Sequence, residues 1–280
     1  MVWANEEGCR YAPGCTGSLV FSTRHTIEEL WDATAPDGAV LKDELERTLV
    51  AVTPDAEHRC GGIAMAGYIE AHIEQGPRLE SEGLMVGAVT GIQGGSSFEV
   101  RVTGIDGHAG TVPLGQRRDA FRSAHAIIDA LHRDLADPTD TVRFTVGSLP
   151  SLSGVARHDP RQGGFHDRLP PSGTRVFRPA HASPCEVSVS RRHAGDPADF
   201  DPGVIASVER IAGEPGIPAM AMPSGADRDA RSMVPCCPTG MIVVPSTGGI
   251  GHNEDERATP AGLAAGCRVL ANALYETAKG

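Results

Sequence analysis

The sequence has no long apolar run, few aromatic residues and no pair of cysteines at C-x-x-C spacing. It contains no uninterrupted apolar stretch of about 20 residues and no signal-peptide pattern, so it predicts a cytoplasmic protein with no membrane partner. Aromatic residues make up only 4%, whereas Gly and Pro number 34 and 21, which indicates many turns and packing by small side chains. The seven cysteines are an odd number, which argues against a disulfide framework or a structural zinc site and for a reducing compartment.

The charge balance is acidic. Acidic residues outnumber basic ones by 36 to 25, which gives a net charge of −11. A nucleic-acid backbone is itself negative, so the sequence predicts no nucleic-acid partner. Hydrophobic and charged fractions of 40% and 22% are those of an ordinary globular protein.

Apolar periodicity predicts strands and helices along most of the chain. A period of two predicts strands near 68–74, 98–102, 142–146, 187–189 and 241–244, after a short apolar strand ending at 2–4. Helical spacing predicts helices near 41–52, 121–135 and 204–211, and Thr26 with Glu29 has the spacing of a capping box. A last helix begins at Thr259-Pro260, with Leu263, Cys267, Leu270 and Leu274 on one stripe. Residues 148–184 fit no regular element.

Paired carboxylates and histidines at predicted strand ends are candidates for chemistry. Glu6 and Glu7 follow the first strand, and adjacent carboxylates can divide the roles of general base and metal ligand. An isolated Glu-Glu pair is more often a solvated acidic turn. His72 shares a strand face with Glu70 and Glu74, an arrangement that suits zinc or manganese but equally an exposed polar face.

Two further histidines lie in glycine-rich loops. His252 follows Gly248–Gly251 beyond a predicted strand end, which is where α/β enzymes place ligands. His108 lies in the turn 107–111 and can donate a hydrogen bond to a developing oxyanion. An ordinary loop histidine is the alternative for each.

Five segments together resemble, in order, the motifs of the N-carbamoyl-L-amino-acid hydrolase and allantoate amidohydrolase family, a branch of the aminoacylase and carboxypeptidase group of metallopeptidase-like enzymes. The resemblance covers about 2–147 and 215–278. The segments are NEEGCRYAPGCTGS, YIEAHIEQGPRLESEGLMVGAVTGIQG, GHAGTVPLGQRRDA, MPSGADRDA and VVPSTGGIGHNEDE.

The resemblance implies a role for each matched residue. Glu6 matches the general base that activates water, and Glu7, His72 and His252 match ligands of two divalent metals, zinc or manganese. His108 matches a lid histidine that stabilises the tetrahedral intermediate, often from the partner subunit of a homodimer. Positions near the substrate are matched by Gln93, Ser224 and Gly225, and Arg192 aligns with an arginine that binds the substrate carboxylate.

The sequence departs from the family pattern in three places. A histidine and a bridging aspartate precede the Glu-Glu pair in the family, whereas this chain begins five residues before Glu6, which predicts N-terminal truncation and impaired catalysis. No asparagine stands at the spacing that the family uses before Arg192. Arg228 stands where the family's Gly-His-Asp-Ala motif has histidine.

The resemblance therefore implies an α/β fold with a split catalytic domain, its central sheet flanked by helices, and an inserted α+β lid and dimerisation domain. The expected boundaries are 1–92, 93–211 and 212–280. The expected activity is metal-dependent hydrolysis of a linear C–N amide bond in a small ureido or carbamoyl substrate, by a homodimer. The alternative is a catalytically inactive fragment that serves at most as a dimerisation or binding module.

Overall fold

The structure is a computed structural model that describes residues 1–56, 61–150, 165–169 and 183–279, of which 165–169 are described by their backbone alone. Two compact units divide the chain, one formed by 1–92 with 198–280 and the other by 93–197. The segment 148–184, which fits no regular element in the sequence, lies mostly outside the described residues. Its residues 165–169 form a strand.

The described residues contain strands and helices of both units. In chain order, the strands are Tyr68–Ile73 (β1), Val86–Ile92 (β2), Gly94–Thr103 (β3), Arg143–Val146 (β4), Phe165–Leu169 (β5), Glu186–Gly195 (β6), Ala198–Asp199 (β7), Ala219–Ser224 (β8) and Thr239–Val244 (β9). The α-helices are Thr16–Phe21 (α1), Leu41–Val52 (α2), Arg78–Ser81 (α3), Ala120–Asp134 (α4), Pro202–Gly213 (α5), Asp229–Met233 (α6) and Pro260–Thr277 (α7).

A mixed five-stranded sheet forms the centre of the first unit. Strand β9 lies between β1, to which it is parallel, and β2, to which it is antiparallel. Strand β2 also pairs with β8 in parallel and with β7 in antiparallel orientation. The pairing of β1 with β9 places Ile73 beside Val244, so both strands end at the same edge of the sheet.

Helices cover both faces of this sheet, as the sequence predicts for its fold class. On one face, Val86 and Ile242 are fully buried against α5 and α7, which contribute Val208 and Val269. On the other face, the core contains residues of α3 and α6 together with residues of β2, β8 and β9: Leu79, Ala230, Val89, Met222, Met241 and Val243. Alternate residues of β2 and β9 thus point to opposite faces.

Helix α7 packs through a different stripe from the one predicted. Leu263 and Leu274 are exposed, as is Cys267, whereas the buried residues are Gly262, Ala265, Gly266, Val269 and Ala273. A Cβ on Gly266 would lie 2.5 Å from Val244 Cγ1, so the helix approaches β9 more closely than a larger residue would permit. The contact face therefore consists mainly of small residues, and of the predicted stripe Leu270 alone packs against this core.

The N-terminal segment contains no strand at residues 2–4, so that prediction is wrong. Ala4 accepts a hydrogen bond from Gly17 N at 3.0 Å, and the Trp3 ring contacts Phe21 edge-on. The backbone is therefore bonded to α1 and not to a neighbouring strand. The capping box forms, with Thr26 N donating to Glu29 Oε2 at 3.2 Å, but it opens only a 3-10 turn, Glu28–Leu30.

The second unit is a four-stranded antiparallel sheet with one long helix. The strand order is β4-β5-β3-β6, and β3 pairs with β6 from Gly95 to Thr103. Helix α4 begins at its cap Asp119 and buries Ser123, Ile127 and Ala130. This strand and helix content agrees with the predicted α+β unit.

The boundary after the second unit lies at 197/198, not at the predicted 211/212. Helix α5 causes the difference, because its Val208 and Ile211 lie in the core of the first unit. The sequence shows a helix there but not the sheet against which it packs. The first compact unit is interrupted after Ile92, and the second begins at Gln93; the catalytic and lid roles of the two units stay predictions.

The turn that follows α4 gives a prediction about pH. Asp137 accepts hydrogen bonds from Thr139 Oγ1 (2.7 Å), Thr139 N (2.9 Å), Thr141 N and Val142 N (both 2.8 Å), and these bonds, with that of the Thr139 side chain first, lower its pKa to about 2. A lowered pKa stabilises the folded state above the ordinary value of 3.8, and that contribution is lost as the pH falls towards 2. Asp137→Asn should therefore lower the melting temperature at pH 7, with the difference from the parent chain shrinking between pH 4 and pH 2.

The matched control for this experiment is Asp134→Asn, since Asp134 is an exposed residue at the end of α4. We expect it to leave the pH dependence of the melting temperature unchanged. An Asp137→Asn difference that is constant from pH 7 to pH 2 would contradict the assigned role of these hydrogen bonds.

The cysteines of the described residues are all free. None of the helices in that part of the chain is long and apolar enough to span a bilayer.

Candidate active site

A tight loop holds the Glu6-Glu7 pair. The side chain of Asn5 donates to Tyr11 O and Thr16 Oγ1, each at 2.7 Å, and Cys15 N donates to Glu6 O at 2.9 Å. Gly8 has a φ of 66°, and a Cβ there would lie 2.7 Å from Gly14 N. The loop is therefore fixed by its own backbone and by the Asn5 side chain, and it presents two adjacent carboxylates.

Glu7 meets His252 in the first unit. The distance between Glu7 Oε2 and His252 Nε2 is 3.4 Å, and both side chains are more than half exposed. His252 ends a loop that begins with the 3-10 turn Thr247–Gly249, beyond the end of β9. Only glycine fits at 249, which has a φ of 67° and where a Cβ would lie 2.9 Å from Pro77 N.

His72 is held as a neutral ring near the end of β1. Its Nδ1 donates to the Ile73 carbonyl at 2.9 Å, so the lone pair of the ring is on Nε2. Burial lowers the pKa of His72, the positive charge of Arg228 lowers it further, and the carboxylates of Glu256 and Glu7 oppose the shift. A neutral imidazole of this kind is the form that binds metals.

Arg228 carries a positive charge into the same region. Its side chain is 4% exposed, and its Nη1 lies 3.5 Å from Glu6 Oε1. Nη2 donates to Gln75 Oε1, and Nη1 also donates to the Asp227 carbonyl at 2.8 Å. The sequence marks this residue only as a departure from the family pattern, and its contacts become visible only in the fold.

Burial and the positive charge of Arg228 shift the pKa of Glu6 in opposite directions. Burial raises the pKa of its carboxyl, Arg228 opposes the rise, and the neighbouring carboxylates of Glu7, Asp229 and Asp227 add to it. A carboxylate with a raised pKa is a better proton acceptor near neutral pH, as a general base requires.

Cys15 and Asp229 lie beside Glu6. One possible ligand atom from each of the three residues lies within 4.8 Å of the others. Burial raises the pKa of both the Cys15 thiol and the Asp229 carboxyl. Burial thus disfavours the charged forms of both groups.

Gln75 and Glu256, which the sequence did not single out, connect these groups, and Glu70 shares the strand face of His72. The Gln75 amide donates to Glu256 Oε2 at 3.2 Å, and the same oxygen accepts from His252 N at 2.8 Å. Gln75 thus links Arg228 to the His252 loop. Glu70 accepts from Tyr68 Oη at 2.8 Å and Ala230 N at 2.9 Å, and burial raises its pKa to about 7. The only sequence signal for Gln75 and Glu70 is their place beside His72.

The remaining predicted residues are distributed over both units. In the first, Ser224 Oγ accepts from Ala226 N at 3.2 Å, which orders the turn that contains Gly225. Gln93, His108 and Arg192 belong to the second unit. His108 Nδ1 accepts from Gly110 N at 3.0 Å, and Arg192 pairs with Glu99 across β3 and β6.

The first unit therefore brings the four histidine and glutamate candidates into one region. Glu7 contacts His252 directly, and Arg228 contacts Glu6 while its charge acts on His72. The family model for peptidase family M20/M25/M40 matches residues 1–276. The chain belongs to this family. It falls in the hydantoinase/carbamoylase amidase group, as the sequence motifs predicted.

Curated relatives in this group carry names of C–N hydrolases. The chain is 34% identical to an N-carbamoyl-L-amino-acid amidohydrolase of Rhizobium meliloti, over 99% of this chain and 68% of the relative. It is 26% identical to an allantoate deiminase of Arabidopsis thaliana, over 91% and 56%. The chain spans about two thirds or less of the length of these relatives.

Solved structures give the same family. The crystal structure of a hydantoinase/carbamoylase family amidase from Burkholderia multivorans matches with a TM-score of 0.82 at 33% identity, over 99% of this chain and 69% of that one. One from Burkholderia vietnamiensis matches with a TM-score of 0.81 at 32% identity, over the same shares.

Members of the M20 family are generally metal-dependent, and the donor atoms of this chain fit a metal on one side of the site. Two ligand atoms about 2.1 Å from a tetrahedral ion lie about 3.4 Å apart, which is the distance between Glu7 Oε2 and His252 Nε2. On the other side, Glu6 and His72 offer suitable ligand types, but the guanidinium of Arg228 lies beside Glu6. That side does not fit a metal ion.

Proposed function

We propose that this chain is a metal-dependent hydrolase of linear C–N bonds in carbamoyl or ureido compounds, with N-carbamoyl-L-amino acids and allantoate as the candidate substrates. The observation that carries the proposal is the half-buried Glu6 carboxyl with its raised pKa, adjacent in sequence to the Glu7–His252 pair with its 3.4 Å spacing. The names of the relatives support the substrate class.

Glu6 is the proposed general base. Its carboxylate takes a proton from the water that attacks the ureido carbon, and it returns the proton to the leaving nitrogen. General base catalysis of this kind contributes about 10²–10⁴-fold. Glu7 and His252 would hold a zinc or manganese ion, which supplies polarisation of the scissile carbonyl and a lower pKa of bound water.

The other predicted residues bind and orient the substrate in this proposal. Gln93, Ser224 and Gly225 line the substrate, and Arg192 binds its carboxylate as a bidentate partner. His108 donates a hydrogen bond to the developing oxyanion, presented by the partner subunit of a cytoplasmic homodimer.

The second candidate is a catalytically inactive chain that serves as a dimerisation or binding module. Arg228 favours it, because a buried cation beside Glu6 opposes binding of a metal on that side. The two candidates differ in turnover, and a single assay distinguishes them.

The test is ammonia release by the purified chain in the presence of Zn²⁺ or Mn²⁺. Hydrolysis of a ureido group releases ammonia, so N-carbamoyl-L-amino acids and allantoate are assayed in parallel. We expect ammonia release that a chelator abolishes and that His252→Ala reduces to background, because the variant lacks one ligand of the proposed ion. A chain that binds metal with its fold intact and hydrolyses none of these substrates is the inactive candidate.

A further inference from the structure

Arg228 places a permanent positive charge within the candidate site. The side chain is 4% exposed, and its Nε has no hydrogen-bond partner among the residues that the structure describes. A guanidinium is not deprotonated in proteins, and it has five donors and no lone pair to offer a metal. Arg228 therefore acts as a fixed cation and never as a ligand.

Hydrogen bonds at its backbone and at its guanidinium fix the position of the Arg228 side chain. Arg228 is the residue before α6, and its amide donates to Asp227 Oδ1 at 3.0 Å. Ala230, the second residue of α6, donates its backbone N–H to Glu70 Oε2 at 2.9 Å. At its far end the guanidinium contacts Glu6 and Gln75. These contacts make it a built part of the site and not a surface side chain that swings away.

A divalent ion on this side of the site would need Glu6 and His72 as ligands. Glu6 offers a carboxylate, and His72 offers a neutral imidazole whose Nδ1 is already bonded to Ile73 O. Arg228 lies 3.5 Å from the carboxylate, and its charge acts on the imidazole. A dication at these two residues would be repelled by the guanidinium in a partly buried region, where the repulsion is weakly screened.

We propose that the Arg228 guanidinium takes the place of a divalent ion on the Glu6–His72 side of the site, so that this chain binds no more than one divalent ion. The inference rests on the proposed metal dependence of the site. It concerns ion stoichiometry, which is measured without any turnover.

The experiment is a Co²⁺ titration of the purified chain by calorimetry, with visible absorption of the bound ion as a second readout. The parent chain should bind at most one Co²⁺. Arg228→Met, which removes the charge and keeps much of the side-chain volume, should bind one Co²⁺ more, and the added ion should be lost in Arg228→Met combined with His72→Ala. The added ion should bind to Arg228→Met at least about tenfold more tightly than any second Co²⁺ binds to the parent chain at the highest concentration titrated.

Two control variants keep the test sharp. Arg228→Lys retains the positive charge and should keep the stoichiometry of the parent chain. Arg210→Met removes an arginine that pairs with Glu214 and Glu276 and should also leave the stoichiometry unchanged. Circular dichroism establishes that each variant is folded, and Arg228→Leu, a second change that removes the charge without adding a metal ligand, replaces Arg228→Met if that variant does not fold.

Two results overturn the inference: two Co²⁺ ions bound by the parent chain, or no added ion in the folded neutral variants. The proposed function fails differently. An added ion in Arg228→Met with no ammonia release in any variant would support the role of Arg228 and reject the hydrolase.

Discussion

Glu6→Gln is expected to lower kcat for ammonia release by about 10²–10⁴-fold. The amide cannot accept a proton from water, but its oxygen can still accept a hydrogen bond from the Arg228 guanidinium that faces Glu6 Oε1 at 3.5 Å. The loop that holds residue 6 depends on backbone and Asn5 contacts, so the fold should be unaffected. The measurement is steady-state kinetics with Zn²⁺ or Mn²⁺, together with metal affinity by calorimetry.

The adjacent residue provides the matched control. Glu7→Gln should weaken metal binding, because Glu7 Oε2 is the carboxylate oxygen at 3.4 Å from His252 Nε2, whereas Glu6→Gln should leave metal affinity unchanged. A Glu6→Gln chain that retains more than one tenth of the parent kcat contradicts a general base at this position. Equal losses of metal affinity in both variants would instead make Glu6 a ligand.

Ile242→Ala is expected to destabilise the first unit by about 2–5 kcal/mol. Ile242 lies on the central strand β9, is fully buried, and belongs to the same core as Val86, Val208 and Val269. Removal of its side chain leaves a cavity between the sheet and helices α5 and α7, which can close only in part. The expected fall in melting temperature is roughly 4–20 °C, at about 2–4 °C per kcal/mol.

Ile63→Ala is the control for this prediction. The same atoms are removed, but Ile63 is 53% exposed in the first unit, and the expected change is within about 0.5 kcal/mol. Similar melting temperatures for the two variants would mean that the core assigned to Ile242 is wrong.

The sequence predicts most of the longer elements, and α7 shows where periodicity stops being sufficient. Thr259 and Pro260 correctly indicate the start of the helix, and the Thr259 side chain accepts from Gly262 N. Three of the four residues of the predicted stripe, Leu263, Cys267 and Leu274, are exposed, because the helix approaches β9 at Gly266, where a Cβ would lie 2.5 Å from Val244 Cγ1. A hydrophobicity pattern shows which side chains are apolar. It does not show that α7 packs closely on β9 through its small residues instead of burying the larger surface of its leucines.

Other elements give no periodic signal. Strand β2 is buried along nearly its whole length, and a strand covered on both faces shows no alternation of polar and apolar residues. Helix α6 has five residues, which is too short for a helical pattern to be recognised. Helix α5 packs against the sheet that contains β2. Because the sequence does not reveal this sheet, it does not reveal that the first unit resumes at 197/198.

The candidate site was predicted in its residue types more fully than in its contacts. The motifs identify Glu6, Glu7, His72 and His252, but they do not indicate that Gln75 joins Arg228 to the His252 loop. The partners of Arg228 lie 153 and 222 residues away in the chain. No local pattern encodes such pairings.

The sequence by itself determined the family, through five motifs in a fixed order, and the residue types that family chemistry requires. Only the tertiary structure decided which of those residues meet. It placed a guanidinium beside Glu6 and left Glu7 with His252 at a spacing that suits a metal ion. The physical reason is that motif chemistry is local along the chain, whereas charge and coordination depend on distances that are set when β1, β9 and α6 come together.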